Sequence, residues 1–141
     1  MRLYGPSNTR TEFIDRAPLR VVQGSKTVSG AASVVIATYT VPASRRALIE
    51  TLQGALILTV AMAAGDVGEL QAEVQPFGGA AVVIGYDRLA GAQAIGAAVR
   101  LAIGPVFLLA TDVLTLRFID GIVGGGSVTS AGGFEGVEYD P

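Results

Sequence analysis

Hydrophobic and polar residues alternate along most of the chain after residue 19. The clearest case is Glu69–Gln75, where apolar residues occupy one parity and Glu or Gln the other. Strict alternation is typical of a strand with one buried and one solvated face. The same period, or a run rich in β-branched residues, predicts further strands at 33–41, 80–86, 97–103, 106–109 and 112–120.

The segment 45–60 fits two structures. Leu52 and Leu56 share a parity with further apolar residues, which is typical of a half-buried strand. Leu48, Leu52 and Leu56 also follow the four-residue spacing of a helix. Gly54 in the middle weakens a helix. We favour the strand.

Glycine and proline divide the predicted strands. The run Gly24–Gly30 predicts a loop, Pro42 ends the strand before it, and Gly124–Gly126 and Gly132-Gly133 predict breaks in the tail. Seven to nine short strands with such punctuation indicate an all-β fold. We expect an antiparallel β-sandwich, jelly-roll-like in its connections.

Residues 1–19 differ from the rest because they carry charges and prolines without sustained periodicity. We interpret them as an extended, irregular N-terminal arm, followed by a β-sandwich domain over 20–141. The alternative is a disordered terminus. Phe13 and Ile14 favour an arm that packs on something, since an apolar pair rarely stays in water.

Composition adds a constraint on the surface. Of the 141 residues, 50% are hydrophobic and only 16% are charged, whereas about 25% charged residues is usual. Much of the exterior must therefore be small or apolar, which is typical of a protein buried in an oligomer or larger assembly. The alternative is that exposed Ala and Gly are simply tolerated.

Several functions are excluded or disfavoured by residue types. The chain has no Cys, His or Trp, which excludes disulfides, Cys/His zinc sites and His-dependent catalysis. A net charge of −2 disfavours nucleic-acid binding. We expect no enzyme activity, no cofactor and no metal, because the carboxylate pairs lack signs of a cleft. Those pairs are Glu69/Glu73, Asp112/Asp120 and Glu135/Glu138.

The apolar stretch Leu89–Ala110 is long enough to raise the question of a membrane. Arg100 lies in its middle, and Gly104-Pro105 predicts a turn near its end. A central Arg is costly in lipid, so no membrane association is expected.

Arg45 and Arg46 open the strand that follows Pro42. Two interpretations fit them equally well: a solvated strand end, or an ion pair with a neighbouring subunit.

The segment Tyr39–Glu50 resembles a recurring phrase in virion proteins of tailed bacteriophages, where a strand ends in Val-Pro and a long apolar strand follows. Leu109–Leu116 is similar to a Gly-Asp phrase of the same proteins, and 125–139 resembles their closing strand pair. Ser44 and Thr111 stand where glycine is usual.

The resemblance implies a capsid decoration (cement) protein. Such a protein would be a structural virion component on the capsid surface, a homotrimer bound to the outer face of the major capsid protein shell. It would reinforce the shell against internal DNA pressure, without catalytic residues. A tail-associated or fibre-type module that recognises a receptor or a carbohydrate is the alternative, although aromatic residues are only 6%. The candidate partner contacts are Arg2, Arg10, Phe13, Ile14, Arg16, Arg45 and Arg46.

Overall fold

The computed structural model describes residues 16–29, 33–122 and 126–140, and these ranges hold nine β-strands and no helix. The strands are β1 Arg16–Ser29, β2 Val34–Thr40, β3 Arg46–Val60, β4 Val67–Gln75, β5 Val82–Ala90, β6 Ala98–Ile103, β7 Val106–Leu108, β8 Val113–Gly121 and β9 Ser127–Tyr139.

The strands form two antiparallel sheets. Sheet A has the order β1-β9-β3-β6, and β7 pairs with β3 on the stretch that β6 leaves free. Sheet B has the order β2-β8-β4-β5. The ladders β1:β9, β2:β8, β3:β6–β7 and β4:β5 are nested in sequence, so the chain is one long hairpin with its tip at 76–81, wound into two sheets. This is the jelly-roll arrangement, and it confirms the predicted antiparallel β-sandwich.

The core lies between the sheets and follows the period of two. The inward residues in the middle of β3, β4 and β8 are fully buried, because each of these strands has a neighbouring strand on both sides and the opposite sheet above it. Burial of each such side chain is worth about 1.5–3 kcal/mol. The largest members are Phe118, Ile36, Ile49, Leu52, Leu56, Leu58, Leu70, Leu108, Leu114, Leu116 and Ile122.

The ambiguous segment is a strand, as favoured. β3 runs over Arg46–Val60 and pairs with β9 on one side and with β6 and β7 on the other. Gly54 belongs there because a Cβ would lie 2.9 Å from Cδ2 of Leu70 and 3.3 Å from Leu116 in the opposite sheet.

The predicted loop at 24–30 is wrong over the described residues. β1 continues from Arg16 to Ser29, with a register shift between Gln23 and Lys26 that accommodates the glycine without ending the strand. Residues 16–19, which the sequence assigned to the arm, lie in β1; the first fifteen residues of the predicted arm lie outside the described residues.

The predicted break at Gly132-Gly133 is also wrong, since β9 is continuous from Ser127 to Tyr139. A Cβ at Gly132 would lie 2.5 Å from the Gln53 carbonyl oxygen and 2.6 Å from Leu116. These glycines therefore permit close approach of strands. The predicted break at 124–126 lies outside the described residues except for Gly126.

Candidate interaction surface

The exposed large apolar residues are concentrated in one part of the fold. Of the eleven such residues within 33–122 and 126–140, eight fall between positions 77 and 109. Phe77 is 80% exposed and Phe107 is 70% exposed, which is unusual for side chains that normally enter a core. The eight are Phe77, Val82, Val83, Ile84, Tyr86, Ile95, Phe107 and Leu109.

Charge is scarce over the same stretch. From Pro76 to Leu109 the charged residues are Asp87, Arg88 and Arg100. The exposed apolar side chains therefore have few charged neighbours in the chain.

The strand order gathers these residues on one side of the sandwich. β5 is an edge of sheet B, and β6 and β7 form an edge of sheet A. The two edges lie against each other, since a Cβ at Gly85 of β5 would collide with the side chain of Ile103 in β6. We call this side, made of β5, β6, β7 and the turns at 76–81, 91–97 and 109–112, the β5 flank.

A single carboxylate ties two turns of the β5 flank together. Asp112 is 9% exposed, and its Oδ2 accepts the backbone N–H of Leu109 at 2.9 Å while its Oδ1 accepts that of Phe77 at 3.3 Å. Two exposed apolar residues, one from the β4–β5 turn and one from the β7–β8 turn, are thereby held side by side.

The outer edge of β5 carries features that hinder the addition of another strand. Its ladder with β4 shifts register between Ala72 and Glu73, so Ile84 is an extra residue in β5. Asp87 is paired with the buried Leu70 and therefore lies on the inward side of an open edge. A bulge and an inward charge are common means by which edge strands avoid pairing.

The outward side of sheet B is polar. Arg117 Nη2 lies 2.8 Å from Glu73 Oε1, and Arg88 Nη2 lies 3.9 Å from Glu69 Oε2. Arg88 also covers one face of Tyr86, with its guanidinium carbon 5.5 Å from the ring centroid. The pair Glu69/Glu73 thus lies in ion pairs on an open sheet face, and the described ranges contain no cluster of three potential metal ligands.

Arg45 makes its ion pairs within the chain. Its Nε lies 3.5 Å from Glu138 Oε1 and its Nη1 3.3 Å from Asp140 Oδ1. The hydroxyl of Tyr39 donates to Glu138 Oε2 at 2.6 Å, so this group joins β2, the β2–β3 turn and the end of β9. Burial of Tyr39, followed by its hydrogen bond to the Glu138 carboxylate, raises the pKa of the phenol above its usual value.

Three of the predicted contact residues come together at one end of the sandwich. Tyr139 in β9 pairs with Arg16 of β1 on one side and with Arg46 of β3 on the other, and Arg45 precedes Arg46. Arg46 is exposed. Arg2, Arg10, Phe13 and Ile14 lie outside the described residues.

Sequence reasoning missed the β5 flank, although a signal was present. Leu89–Ala110 drew attention as a possible membrane segment because it carries one interior charge. The structure divides it among the end of β5, β6 and β7. In the described part of the chain, no helix has the length and apolar character needed to span a membrane. A charge-poor stretch at the edges of both sheets would have indicated an apolar surface.

Comparison with known proteins finds distant structural likeness. No protein-family model and no curated protein matches the sequence. The structure of infectious bursal disease virus Gx strain aligns at 9% identity and a TM-score of 0.44, over 89% of this chain and 32% of that one. Derived T=1 particles of infectious bursal virus give 9% identity and 0.42, over 89% and 36%. The VP2 subviral particle of infectious bursal disease virus gives 9% and 0.39, over 89% and 37%. This chain spans about a third of the length of those chains.

Proposed function

We propose that the protein is a capsid decoration protein, a structural virion component that assembles as a homotrimer and stabilises a shell by binding the outer surface of its major capsid protein. The mechanism is added contact area at the joints between shell subunits, without a chemical reaction.

The observation that carries the proposal is the β5 flank on a jelly-roll sandwich. A side with eight exposed large apolar residues and three charged ones, Asp87, Arg88 and Arg100, fits permanent burial in an assembly, because lasting interfaces are the most apolar ones. The resemblance of Tyr39–Glu50 to a sequence found in virion proteins of tailed bacteriophages favours a virion over other kinds of assembly.

We assign the shell contact to the end of the sandwich at which β1 begins, at Arg16, and at which Arg45 and Arg46 lead into β3. Because β1 begins at this end, the predicted arm is joined to the sandwich there. Fifteen residues can reach up to about 50 Å when extended, enough to contact an adjacent subunit. Arg46 is exposed, so its guanidinium is available for a carboxylate on the shell.

The test is co-sedimentation of the full-length protein with undecorated capsids. We expect the wild type to sediment with the shells, and the deletion of residues 1–15 or Arg46→Ala to weaken binding at least tenfold. The deletion stops before β1, so the sandwich should keep its thermal midpoint. Arg117→Ala, which removes a partly exposed arginine of β8 outside both this end and the β5 flank, is the control and should bind like the wild type. Absence of wild-type binding contradicts the proposal; equal binding by the deletion variant contradicts the role of the arm.

A receptor- or carbohydrate-binding module is the second candidate, and the exposed rings of Phe77 and Phe107 favour it, since sugars stack on open aromatic faces. A glycan array probed with the full-length protein tests it. Binding that Phe77→Ala abolishes supports this candidate, and a silent array removes its carbohydrate form.

A further inference from the structure

We infer that the β5 flank is the surface through which copies of this chain bind one another by side-chain packing, and that it is covered before the protein meets any shell. The order of events rests on the proposed function; the self-association does not.

The exposed apolar area has the size that a stable contact needs. With about 200 Å² for a fully exposed aromatic side chain and somewhat less for an aliphatic one, the eight side chains present about 800 Å². A stable protein interface buries about 800 Å² on each partner. The apolar side chains alone therefore supply one partner's share.

A second copy is the partner that matches the flank in character. Within 33–122 and 126–140, the other exposed large apolar residues are Val35, Ile57 and Val60. Val35 lies on β2, at the edge of sheet B opposite β5, whereas Ile57, paired with Ala98 of β6, and Val60, close to the Met62–Gln93 bridge, border the flank. The flank thus finds an equally apolar surface in the flank of another copy. Residues close to a rotation axis meet their own counterparts, whether the axis is two-fold or three-fold.

The proposed function also favours a copy over the shell as the occupant. A decoration protein has to remain dissolved until it reaches a finished shell. The exposed apolar side chains of the flank sum to about 800 Å², whereas the largest apolar patch on a typical dissolved monomer is about 300–600 Å², so a large part of them is expected to be covered. Coverage by other copies removes that part from water and leaves the end that carries the exposed Arg46 to face the shell.

The contact is made by side chains because the edge of β5 resists strand pairing. The extra residue Ile84 bends the edge, and Asp87 would place a charge on the inward side of a continued sheet. Phe77, Phe107 and Leu109 project from turns and from the short strand β7, so they can interdigitate without a shared ladder.

The test is sedimentation-velocity ultracentrifugation of the full-length protein over a range of micromolar concentrations, without capsids. We expect a wild-type oligomer, and we expect Phe77→Glu and Phe107→Glu each to weaken association at least tenfold. Val35→Glu is the matched control, since Val35 is 41% exposed on β2, at the edge of sheet B opposite β5, and it should associate like the wild type. Circular dichroism and the thermal midpoint verify that each variant is folded.

Cysteine crosslinking provides a measurement that does not depend on disruptive changes. The chain has no cysteine, so Phe107→Cys gives a single thiol. Oxidation or a short bis-maleimide should produce covalent dimers in high yield, whereas Val35→Cys, on the opposite edge of sheet B, should not. A monomeric wild type, unchanged association of both Phe77→Glu and Phe107→Glu, or equal crosslinking at position 35 would overturn the inference. If the protein associates through the flank but does not bind capsids, this inference stands and the proposed function is wrong. If it binds capsids but does not associate through the flank, the proposed function stands and this inference is wrong.

Discussion

Replacing Asp112 with alanine tests how the turns of the β5 flank are held. The substitution removes both acceptors of one nearly buried carboxylate, at 2.9 Å from the Leu109 nitrogen and 3.3 Å from the Phe77 nitrogen. The backbone bonds between this turn and Val41 do not involve the side chain and should persist. The variant should therefore stay folded but become less stable.

The magnitude follows from the two bonds. A hydrogen bond to a charged group is worth about 1.5–3 kcal/mol, and the longer bond to Phe77 contributes less than the shorter one. We expect Asp112→Ala to lower the free energy of unfolding by about 3 kcal/mol in total. Each kcal/mol shifts the thermal midpoint of a domain of this size by about 3–4 °C, so the midpoint should fall by about 10 °C.

The assay is thermal and urea unfolding of the wild type, Asp112→Ala and Asp112→Asn. Asparagine keeps one acceptor oxygen and can preserve the shorter bond, so its loss should be about 1 kcal/mol. An alanine variant within about 2 °C of the wild type, or an asparagine variant less stable than the alanine one, would show that these bonds do not hold the turns.

Three further predictions concern single positions. Thr111 has a φ of 67°, in the left-handed region that favours glycine. Thr111→Gly should therefore raise the free energy of unfolding, measured by urea denaturation, by about 1 kcal/mol. A variant less stable than the wild type would contradict backbone strain at this position. Gly136→Ala should destabilise by more than about 2 kcal/mol in the same assay, because a Cβ would collide with the backbone of β3, whereas Gly79→Ala meets only ordinary contacts and should be tolerated. The raised pKa of Tyr39 means that the folded state keeps the proton that the unfolded chain loses above about pH 10, so stability should fall as pH rises past that point. Tyr39→Phe, which lacks the hydroxyl bonded to Glu138, should show a smaller fall in urea midpoints between pH 8 and pH 11; an identical fall would refute the assignment.

The local sequence pattern was sufficient to predict the sandwich but not the roles of its glycines. The alternation in Glu69–Gln75 shows which face of the strand is exposed to solvent, and it can be recognised from residues that are adjacent in the sequence. The role of Gly132 depends on β3 and β8, which are distant in sequence. A glycine that ends a strand and one that admits a neighbouring backbone have the same local sequence, so the continuity of β9 could not be predicted.

The candidate surface was harder to predict, because exposure depends on strand order. The sequence of β5, with Val82, Val83 and Ile84 in succession, is typical of a buried strand. Its position at the edge of sheet B leaves these side chains exposed. Arg45 shows the converse, since a pair of basic residues after a turn suggests a partner, yet Glu138 and Asp140, which follow it by more than ninety positions, supply its ion pairs.

The nesting of the ladders has a consequence for how the protein acquires its structure. The tip at 76–81 joins strands that are adjacent in the chain, whereas Arg16 and Tyr139 pair across nearly the whole described sequence. Loop-closure entropy makes such distant pairings slow. Because β9 lies between β1 and β3, these two strands cannot join in one sheet until residues 127–139 have been synthesised. Until that strand inserts, the flanking edges of β1 and β3 are open to other nascent chains, and we expect misassembly during synthesis to arise at this gap.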